Sequence, residues 1–212
     1  MNYYPAFLNL EGKKAVVVGG GKVAERKALT LIKAGADVTV VSPELTKRLR
    51  KEKESQRIRH ISRTYRSGDL KDTFLVIAAT DSPEVNTKVA EEAPALLNVV
   101  DVPSECNFIA PSFVKRGALV FAISTGGASP ALAKVIRNEV GKLYGTVFSD
   151  YLGFVKTLRS RAMKEIADKK VREKFLKSLA SGDIPYMLRT KGLNAVKQSV
   201  LRRFLKLTGK KR

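Results

Sequence analysis

Short apolar runs alternate with amphipathic stretches along the first half of the chain. Apolar runs that stand between helical repeats are typical of strands buried on both faces of a sheet. Strands that alternate with helices in this way predict an α/β fold, with one parallel sheet and right-handed crossovers. The predicted strands are Ala15–Val18, Asp37–Val41, Ile58–Tyr65, Phe74–Ala79 and Leu96–Val100.

The same short pattern marks several expected helix starts. Ser42-Pro43-Glu44, Ser82-Pro83-Glu84 and Ser129-Pro130 each combine a serine with a following proline. The serine hydroxyl can cap a helix, and proline is well tolerated at the first helical position. We therefore expect helices to begin directly after these three serines.

The pattern changes at about Ser112. Phe113–Lys115 and Leu119–Ser124 predict two strands around a turn at Arg116-Gly117, and a helix is expected from Pro130 to about Tyr144. This block is too short to bury a sheet of its own. It therefore favours pairing with a partner chain.

From Val147 onward, apolar residues recur at helical spacing, with breaks at Gly182–Pro185 and Lys191-Gly192. The whole pattern predicts three domains. They are a parallel-sheet domain over residues 1–112, a small central domain over 113–146 and an all-helical domain over 147–212.

A glycine turn follows the first strand and opens a helix expected to run to Ala34. Gly19 allows a sharp turn, Gly21 lets a pyrophosphate approach the backbone, and Ala24 lets the helix pack close to the strand. The N–H groups and positive end of the helix dipole then favour phosphate binding. The arrangement predicts a Rossmann-like sheet that binds a dinucleotide. The residues expected to hold this cofactor are Gly19, Gly20, Gly21, Lys22 and Val23.

The second strand lacks the acidic residue that usually binds the adenosine ribose. Ser42, Pro43 and Glu44 stand near that position, where Ser42 could bond the ribose and Glu44 could replace the acid. Lys47 and Arg48 could instead accept a 2′-phosphate. These residues leave the choice between NAD and NADP open.

Polar residues also follow the fourth and fifth strands, at the edge where open parallel sheets bind ligands. Thr80-Asp81 follows the fourth strand, with Thr80 expected to contact the cofactor. Asn98, Asp101 and Ser104 lie around the fifth strand. Asp81 has a simpler role available, since it could help to cap the helix that follows.

Asp101 is the carboxylate best placed for chemistry. It lies between apolar neighbours at a strand end, a position suited to proton exchange with a substrate. It could equally cap a turn before Pro103. A second glycine turn, Ser124–Pro130, could hold an anionic group on its backbone N–H groups and hydroxyls, or could simply be a turn with a helix cap.

Composition adds a strong positive charge, because 40 Lys and Arg stand against 20 Asp and Glu, a net charge of +20. Such a charge suits a nucleic acid, an acidic membrane, an acidic small molecule or only a basic solvated surface. Cys106 and His60 are the single residues of their types, so neither an internal disulfide nor a Cys/His metal cluster is expected. Both are expected to be structural, with Cys106 small and buried.

No apolar run approaches the roughly 20 residues that cross a bilayer, and the N-terminus lacks the pattern of a signal peptide. These observations predict a cytoplasmic protein.

Taken in order, several stretches resemble the precorrin-2 dehydrogenase and sirohydrochlorin ferrochelatase family, which also forms the N-terminal module of siroheme synthase. The resemblance is clear over about residues 1–145, and the helical tail is similar in length and character. The opening carries Tyr4-Pro5 with Phe7 and Leu10. The further matching motifs are Val18–Lys27, Ala78–Asp81 with Val85-Asn86, Asn98–Asp101 with Phe108–Ser112, and Ser124–Ala133.

This resemblance implies an NAD-binding Rossmann domain, a small dimerisation domain whose strands cross to a partner, and a helical C-terminal domain. It implies NAD-dependent oxidation of precorrin-2 to sirohydrochlorin, and in some members insertion of ferrous iron. The family's essential aspartate falls on Asp101. One departure is Thr125, where siroheme synthases often carry serine. Candidate substrate-binding residues are Asn98, Ser104, Ser124, Thr125 and Gly126.

The substrate implied by the resemblance carries eight carboxylates, and a basic protein would attract it. We therefore expect a tetrapyrrole substrate and a homodimer, with no nucleic-acid or membrane partner. No resident metal is expected, although ferrous iron could be a second substrate held by the macrocycle nitrogens. The main alternative is a nucleotide-sensing Rossmann module without catalysis, which would leave Asp101 and the second glycine turn without a task.

Overall fold

The computed structural model describes residues 3–209 and divides into two compact units, one up to Ala110 and one from Pro111. Each unit is described by itself below. The finer division into three domains, with boundaries after residues 112 and 146, stays a prediction.

The first unit is a parallel sheet flanked by helices, with strands in the order β3-β2-β1-β4-β5. This arrangement confirms the predicted Rossmann-like α/β fold. A short 3-10 helix, Pro103–Glu105, follows the last strand. In chain order the elements are β1 (Lys14–Val18), α1 (Lys22–Lys33), β2 (Asp37–Val41), α2 (Lys47–Glu54), β3 (Ile58–Ile61), β4 (Leu75–Ala78), α3 (Pro83–Glu92) and β5 (Leu96–Val99).

Strand β1 lies at the centre of the sheet and is hydrogen-bonded to β2 and β4. Successive side chains of a strand point to opposite faces, so its apolar residues serve two cores. Val17 packs with Ala24 and Ala28 of α1, while Val16 and Val18 belong to the core on the other face. This double burial explains why the strand is apolar without alternation.

The helix start expected after Ser42 is wrong. Helix α2 begins at Lys47, and Thr46 caps it by accepting a hydrogen bond from the Leu49 N–H at 3.2 Å. The Ser42 hydroxyl instead donates to the Glu44 carbonyl at 2.6 Å, which holds residues 42–44 in a loop. The serine-proline pair at residues 42–43 therefore belongs to the loop before α2, and the cap of the helix is Thr46.

The other two helix starts are confirmed. Ser82 accepts from the Val85 N–H at 3.3 Å and begins α3. Ser129 accepts from the Leu132 N–H at 3.2 Å and begins the first helix of the second unit. The third strand is shorter than expected, because β3 ends at Ile61 and the chain turns there into a loop.

The second unit starts with an antiparallel pair of strands, as predicted, and continues as helices. Its elements are β6 (Ser112–Arg116), β7 (Leu119–Ile123), α4 (Pro130–Leu143), α5 (Val147–Glu165), α6 (Lys169–Ser178), α7 (Ile184–Thr190) and α8 (Gly192–Thr208). The break expected at Gly182–Pro185 falls where α7 begins after α6, and the break expected at Lys191-Gly192 falls between α7 and α8.

The last helix forms the centre of the helical core. Val196, Val200 and Phe204 of α8 are fully buried, and they pack with residues of α5, α6 and α7. The Phe204 ring lies 5.5 Å from the Phe175 ring and 4.7 Å from the Arg161 guanidinium. Among the helices of residues 3–209, none combines the length and the apolar character needed to span a bilayer.

Candidate active site

A cavity of about 660 Å³ opens at the carboxyl ends of β1, β2 and β4. The structure brings to it most of the residues predicted to hold a cofactor. Lys22 and Val23, which are exposed on the first turn of α1, do not line it. The predicted residues that line the cavity are Gly19, Gly20, Gly21, Ser42, Pro43, Glu44 and Thr80.

Each of the three positions in the turn suits glycine for a different physical reason. At Gly19 the backbone φ is +120°, and a Cβ would overlap the Ala79 carbonyl. A Cβ on Gly20 would overlap the Glu44 carbonyl, since the loop after β2 crosses there. Gly21, in contrast, has open space around its Cβ position and begins α1 without any side-chain cap. It is therefore the glycine at which a phosphate can reach the helix N-terminus.

The loop after β2 offers an acid to the cavity. Ser42 is buried, and its hydroxyl hydrogen is already donated to Glu44. The Ser42 carbonyl also lies 2.9 Å from His60 Nε2, which gives that histidine a structural contact. Glu44 itself is exposed and lines the cavity, whereas Lys47 and Arg48 lie on α2 outside its lining.

An asparagine on α3 organises the loop after β4. The Asn86 side chain is buried, accepts from the Thr80 hydroxyl at 2.8 Å and donates to the Thr80 carbonyl at 3.1 Å. Thr80 is thereby held at the cavity wall. Sequence reasoning assigned no role to Asn86 beyond its place in a motif; a polar residue on the inner face of a helix was the available signal. Ser82, and not Asp81, caps α3.

Asp101 stands on a tight turn that directly follows β5. Its φ is +62°, in the left-handed region, and the Val102 N–H donates to the Val99 carbonyl across the turn at 3.4 Å. The side chain is exposed rather than enclosed by its apolar neighbours, which corrects the expected environment. Within residues 3–209 the carboxylate accepts no hydrogen bond. Asp101 therefore forms the turn before Pro103 and at the same time presents a free carboxylate.

The buried thiol of Cys106 holds this turn from within. Its Sγ lies 3.2 Å from the Val99 N–H nitrogen and from the Val99 carbonyl, and 3.3 Å from the Val102 carbonyl. The prediction that Cys106 is a small buried residue is confirmed. Ser104, the other polar candidate here, lies exposed in the short 3-10 helix after the turn.

Asn98 connects the turn to helix α1. Its Oδ1 accepts from the Lys27 ammonium at 3.2 Å, and its Nδ2 donates to the Phe108 carbonyl at 3.3 Å. Burial lowers the pKa of Lys27, and so does the charge of Arg26, while Cys106 and Asp101 act in the opposite direction. Sequence reasoning missed Lys27, although a lysine between the core residues of an amphipathic helix was a visible signal.

The second glycine turn lies in the other unit. The Ser124 and Thr125 hydroxyls accept from the N–H groups of Gly126 and Ser129, both at 3.1 Å. Gly126 adopts a φ of +62°, as such a turn requires. These hydroxyls thus shape the turn itself. Their contact with a substrate stays a prediction, as does that of Asn98 and Ser104.

Comparison with known proteins identifies the family. Residues 6–112 match the family described as "Putative NAD(P)-binding", and residues 116–143 match the family described as "Sirohaem biosynthesis protein central". The chain belongs to the putative NAD(P)-binding family, and its central segment belongs to the sirohaem biosynthesis family. The resemblance inferred from the sequence motifs is confirmed.

Relatives within the sirohaem family are longer than this chain. It is 40% identical over 187 residues to a siroheme synthase of Methylobacillus flagellatus, which covers 87% of this chain and 40% of the relative. It is 34% identical over 206 residues to a siroheme synthase of Mannheimia succiniciproducens, and this match covers 94% of this chain and 43% of the relative. The chain therefore spans about two fifths of the length of these relatives.

A solved structure of similar length shares the fold. The structure of SirC, a precorrin-2 dehydrogenase, matches with a TM-score of 0.78 and 26% sequence identity. The match covers 94% of this chain and 100% of that one.

Proposed function

We propose that this protein catalyses the NAD-dependent oxidation of precorrin-2 to sirohydrochlorin. The supporting observation is a free carboxylate, Asp101, on a turn at the same edge of the sheet as the dinucleotide cavity. The match to a precorrin-2 dehydrogenase along nearly the whole chain supports the same reaction.

The residues of the cavity fit a dinucleotide. The open space at Gly21 and the uncapped start of α1 suit a pyrophosphate, whose charge the helix N-terminus stabilises. When bound, NAD supplies the hydride acceptor of the reaction. Thr80, held by Asn86, would form the wall of the cavity at the end of β4.

The acid in the loop after β2 favours NAD over NADP. The exposed Glu44 carboxylate lines the cavity, where it can accept from the ribose hydroxyls. The same negative charge would repel a 2′-phosphate. Lys47 and Arg48, which could have neutralised such a phosphate, lie outside the cavity lining.

Asp101 would act as the base. Oxidation removes a hydride and a proton from the tetrapyrrole, so a group that takes the proton must face the substrate. The Asp101 carboxylate is exposed and accepts no hydrogen bond from residues 3–209, which leaves its oxygens free to receive this proton. The chain's other task is orientation of the substrate against the cofactor.

The test is incubation of the purified protein with precorrin-2 and NAD. We expect nicotinamide absorbance to rise as the tetrapyrrole spectrum shifts to that of sirohydrochlorin, with NADP used less well. The proposal would be refuted if the protein oxidised precorrin-2 with neither NAD nor NADP. Binding of NAD without any turnover would instead support the nucleotide-sensing alternative.

We also propose that the protein forms a homodimer through residues 112–143. This segment has a two-stranded sheet and leaves large apolar side chains between 44% and 51% exposed. A second copy of the segment would cover these side chains, as expected for a dimer interface. Sedimentation equilibrium tests the assembly, and a mass equal to one chain would refute it. The side chains are those of Phe113, Leu132, Val135 and Leu143.

Iron insertion and location in the cytoplasm stay predictions. Across residues 3–209, no group of three or more His, Cys, Asp or Glu side chains is arranged to hold a metal ion. In our scheme ferrous iron would be a substrate held by the macrocycle nitrogens. Its insertion is tested by adding ferrous or cobalt ion to sirohydrochlorin, with and without the protein.

A further inference from the structure

Lys27 makes an unusual contact for a lysine of a nucleotide-binding helix. It is half-buried on α1 beside Ala24 and Ala28, which have no exposed surface. Its ammonium reaches across to β5 and donates to Asn98 Oδ1 at 3.2 Å. A hydrogen bond from a charged donor is among the stronger ones in proteins. It links the helix that begins at the dinucleotide cavity to the strand that leads to Asp101.

Asn98 passes this contact on to the Asp101 turn. With its Oδ1 held by Lys27, its Nδ2 faces the Phe108 carbonyl at 3.3 Å and the Cys106 sulfur at 3.4 Å. The same sulfur contacts backbone groups at both ends of the turn, at Val99 and Val102. The turn is therefore anchored from its inner side by one connected set of polar contacts.

We propose that Lys27 is a positioning residue for Asp101. Lys27 orients the side chain of Asn98 and thereby fixes the Asp101 turn relative to α1. Its catalytic consequence rests on the proposed function, but the structural claim can be tested without any turnover. Lys27 is not a catalytic residue in this proposal, because it does not line the cavity and its ammonium donates to Asn98.

The charges around Lys27 are consistent with a structural cation. The charge of Arg26, the preceding residue, lowers the pKa of Lys27, and Cys106 and Asp101, in the segment after β5, raise it. The nearby acid, Asp101, is exposed, whereas the hydrogen bond of the Lys27 ammonium goes to the neutral amide of Asn98. A neutral side chain of similar length at position 27 removes the donor without adding a polar group.

Cys106 provides a reporter, since it is the single cysteine of the chain and is buried under the turn. We compare the rates at which a thiol reagent labels the folded full-length protein and its variants. Lys27→Met is expected to label about tenfold to a hundredfold faster, because loss of a charged hydrogen bond loosens the turn. Lys27→Arg, which keeps a long charged donor, should label at close to the wild-type rate.

Lys33→Met is the matched control, because it removes one positive charge from the exposed end of the same helix. It should label at the wild-type rate. If Lys27→Met fails to fold, Lys27→Gln removes the charge and shortens the side chain while Asn98 keeps its own contact with Cys106, and it is expected to increase labelling in the same way. Labelling of the folded Lys27→Met protein, or otherwise of Lys27→Gln, at the wild-type rate would overturn the proposal.

Steady-state kinetics test the catalytic consequence. Lys27→Met should lower kcat by about tenfold or more, with KM for NAD within about twofold of wild type, and Lys27→Arg should recover kcat. An unchanged kcat in a variant that labels faster would overturn the positioning role. If the wild-type protein shows no turnover, the proposed function fails, and the labelling rates alone decide whether Lys27 holds the turn.

Discussion

Asp101 occupies a backbone conformation that few side chains adopt. Its φ of +62° lies in the left-handed region, where asparagine and aspartate are tolerated better than other residues with a Cβ. The position therefore restricts which substitutions test chemistry alone. Asparagine keeps the backbone preference and removes only the charge and the proton acceptor.

Asp101→Asn should lower kcat for precorrin-2 oxidation by about 10²-fold to 10⁴-fold, the usual contribution of a positioned base. Its affinity for NAD, measured by titration, should stay within about twofold, because Asp101 does not line the cavity. Asp101→Gly serves as a second variant that also accepts the left-handed conformation. Wild-type activity in either variant would remove Asp101 from the reaction.

The neighbouring glycines of the nucleotide turn should respond differently to the same substitution. Gly20→Ala places a methyl group against the Glu44 carbonyl and should lower the free energy of unfolding by about 1–3 kcal/mol. Gly21→Ala meets no atom within 4 Å and should leave stability nearly unchanged, while weakening NAD binding. Urea unfolding and NAD titration of both variants separate the two effects. Equal stability losses would contradict this division.

At the scale of elements, the loop between β3 and β4 is held by one ion pair. Both Asp69 oxygens accept from the Arg63 guanidinium at 2.7 Å, and one also accepts from the Arg66 N–H at 2.9 Å. The hydrogen bonds from Arg63 hold the pKa of Asp69 below its ordinary value. This bidentate pair stabilises the loop that connects β3 to β4, two strands of the same sheet that β2 and β1 separate.

The pair predicts a pH dependence of stability. Because the folded-state pKa of Asp69 is lowered, its stabilisation is complete above the unfolded pKa of about 3.9 and is lost as pH falls through the folded pKa. Asp69→Asn should therefore be less stable than wild type at pH 7, with a difference that shrinks in acid. Urea unfolding at several pH values measures this. Asp72→Asn, an exposed acid in the same loop, is the control, and an equal effect there would contradict the assignment.

At the scale of the molecule, the net charge of +20 dominates the long-range electrostatics. A substrate with eight carboxylates would be attracted to such a surface, and salt screens this attraction. The charge by itself had also suited nucleic acid or membranes. Under the proposed function, this charge serves an acidic small molecule.

Salt should therefore reduce kcat/KM for the tetrapyrrole by about tenfold between about 0.01 M and about 0.15 M ionic strength, as the screening length falls from about 30 Å to about 8 Å. The KM for NAD, a ligand of much lower charge, should change less. Initial rates over a salt series test both statements. Equal salt effects on both substrates would argue against electrostatic attraction of the tetrapyrrole.

The sequence by itself determined the order of the strands and helices, the glycine turn, the buried cysteine and the family. The apolar run of β1 and the Ser82 and Ser129 caps are local patterns, which can be recognised from residues that are neighbours in the sequence.

The tertiary structure decided what depends on residues distant in sequence. The packing of Gly20 followed from where the loop after β2 crosses it. The contact of Lys27 with Asn98, 71 positions apart, likewise arises only when α1 and β5 come together. The glycine turn and the aspartate were visible in the sequence, but the polar contacts that join their elements appear only in the folded chain.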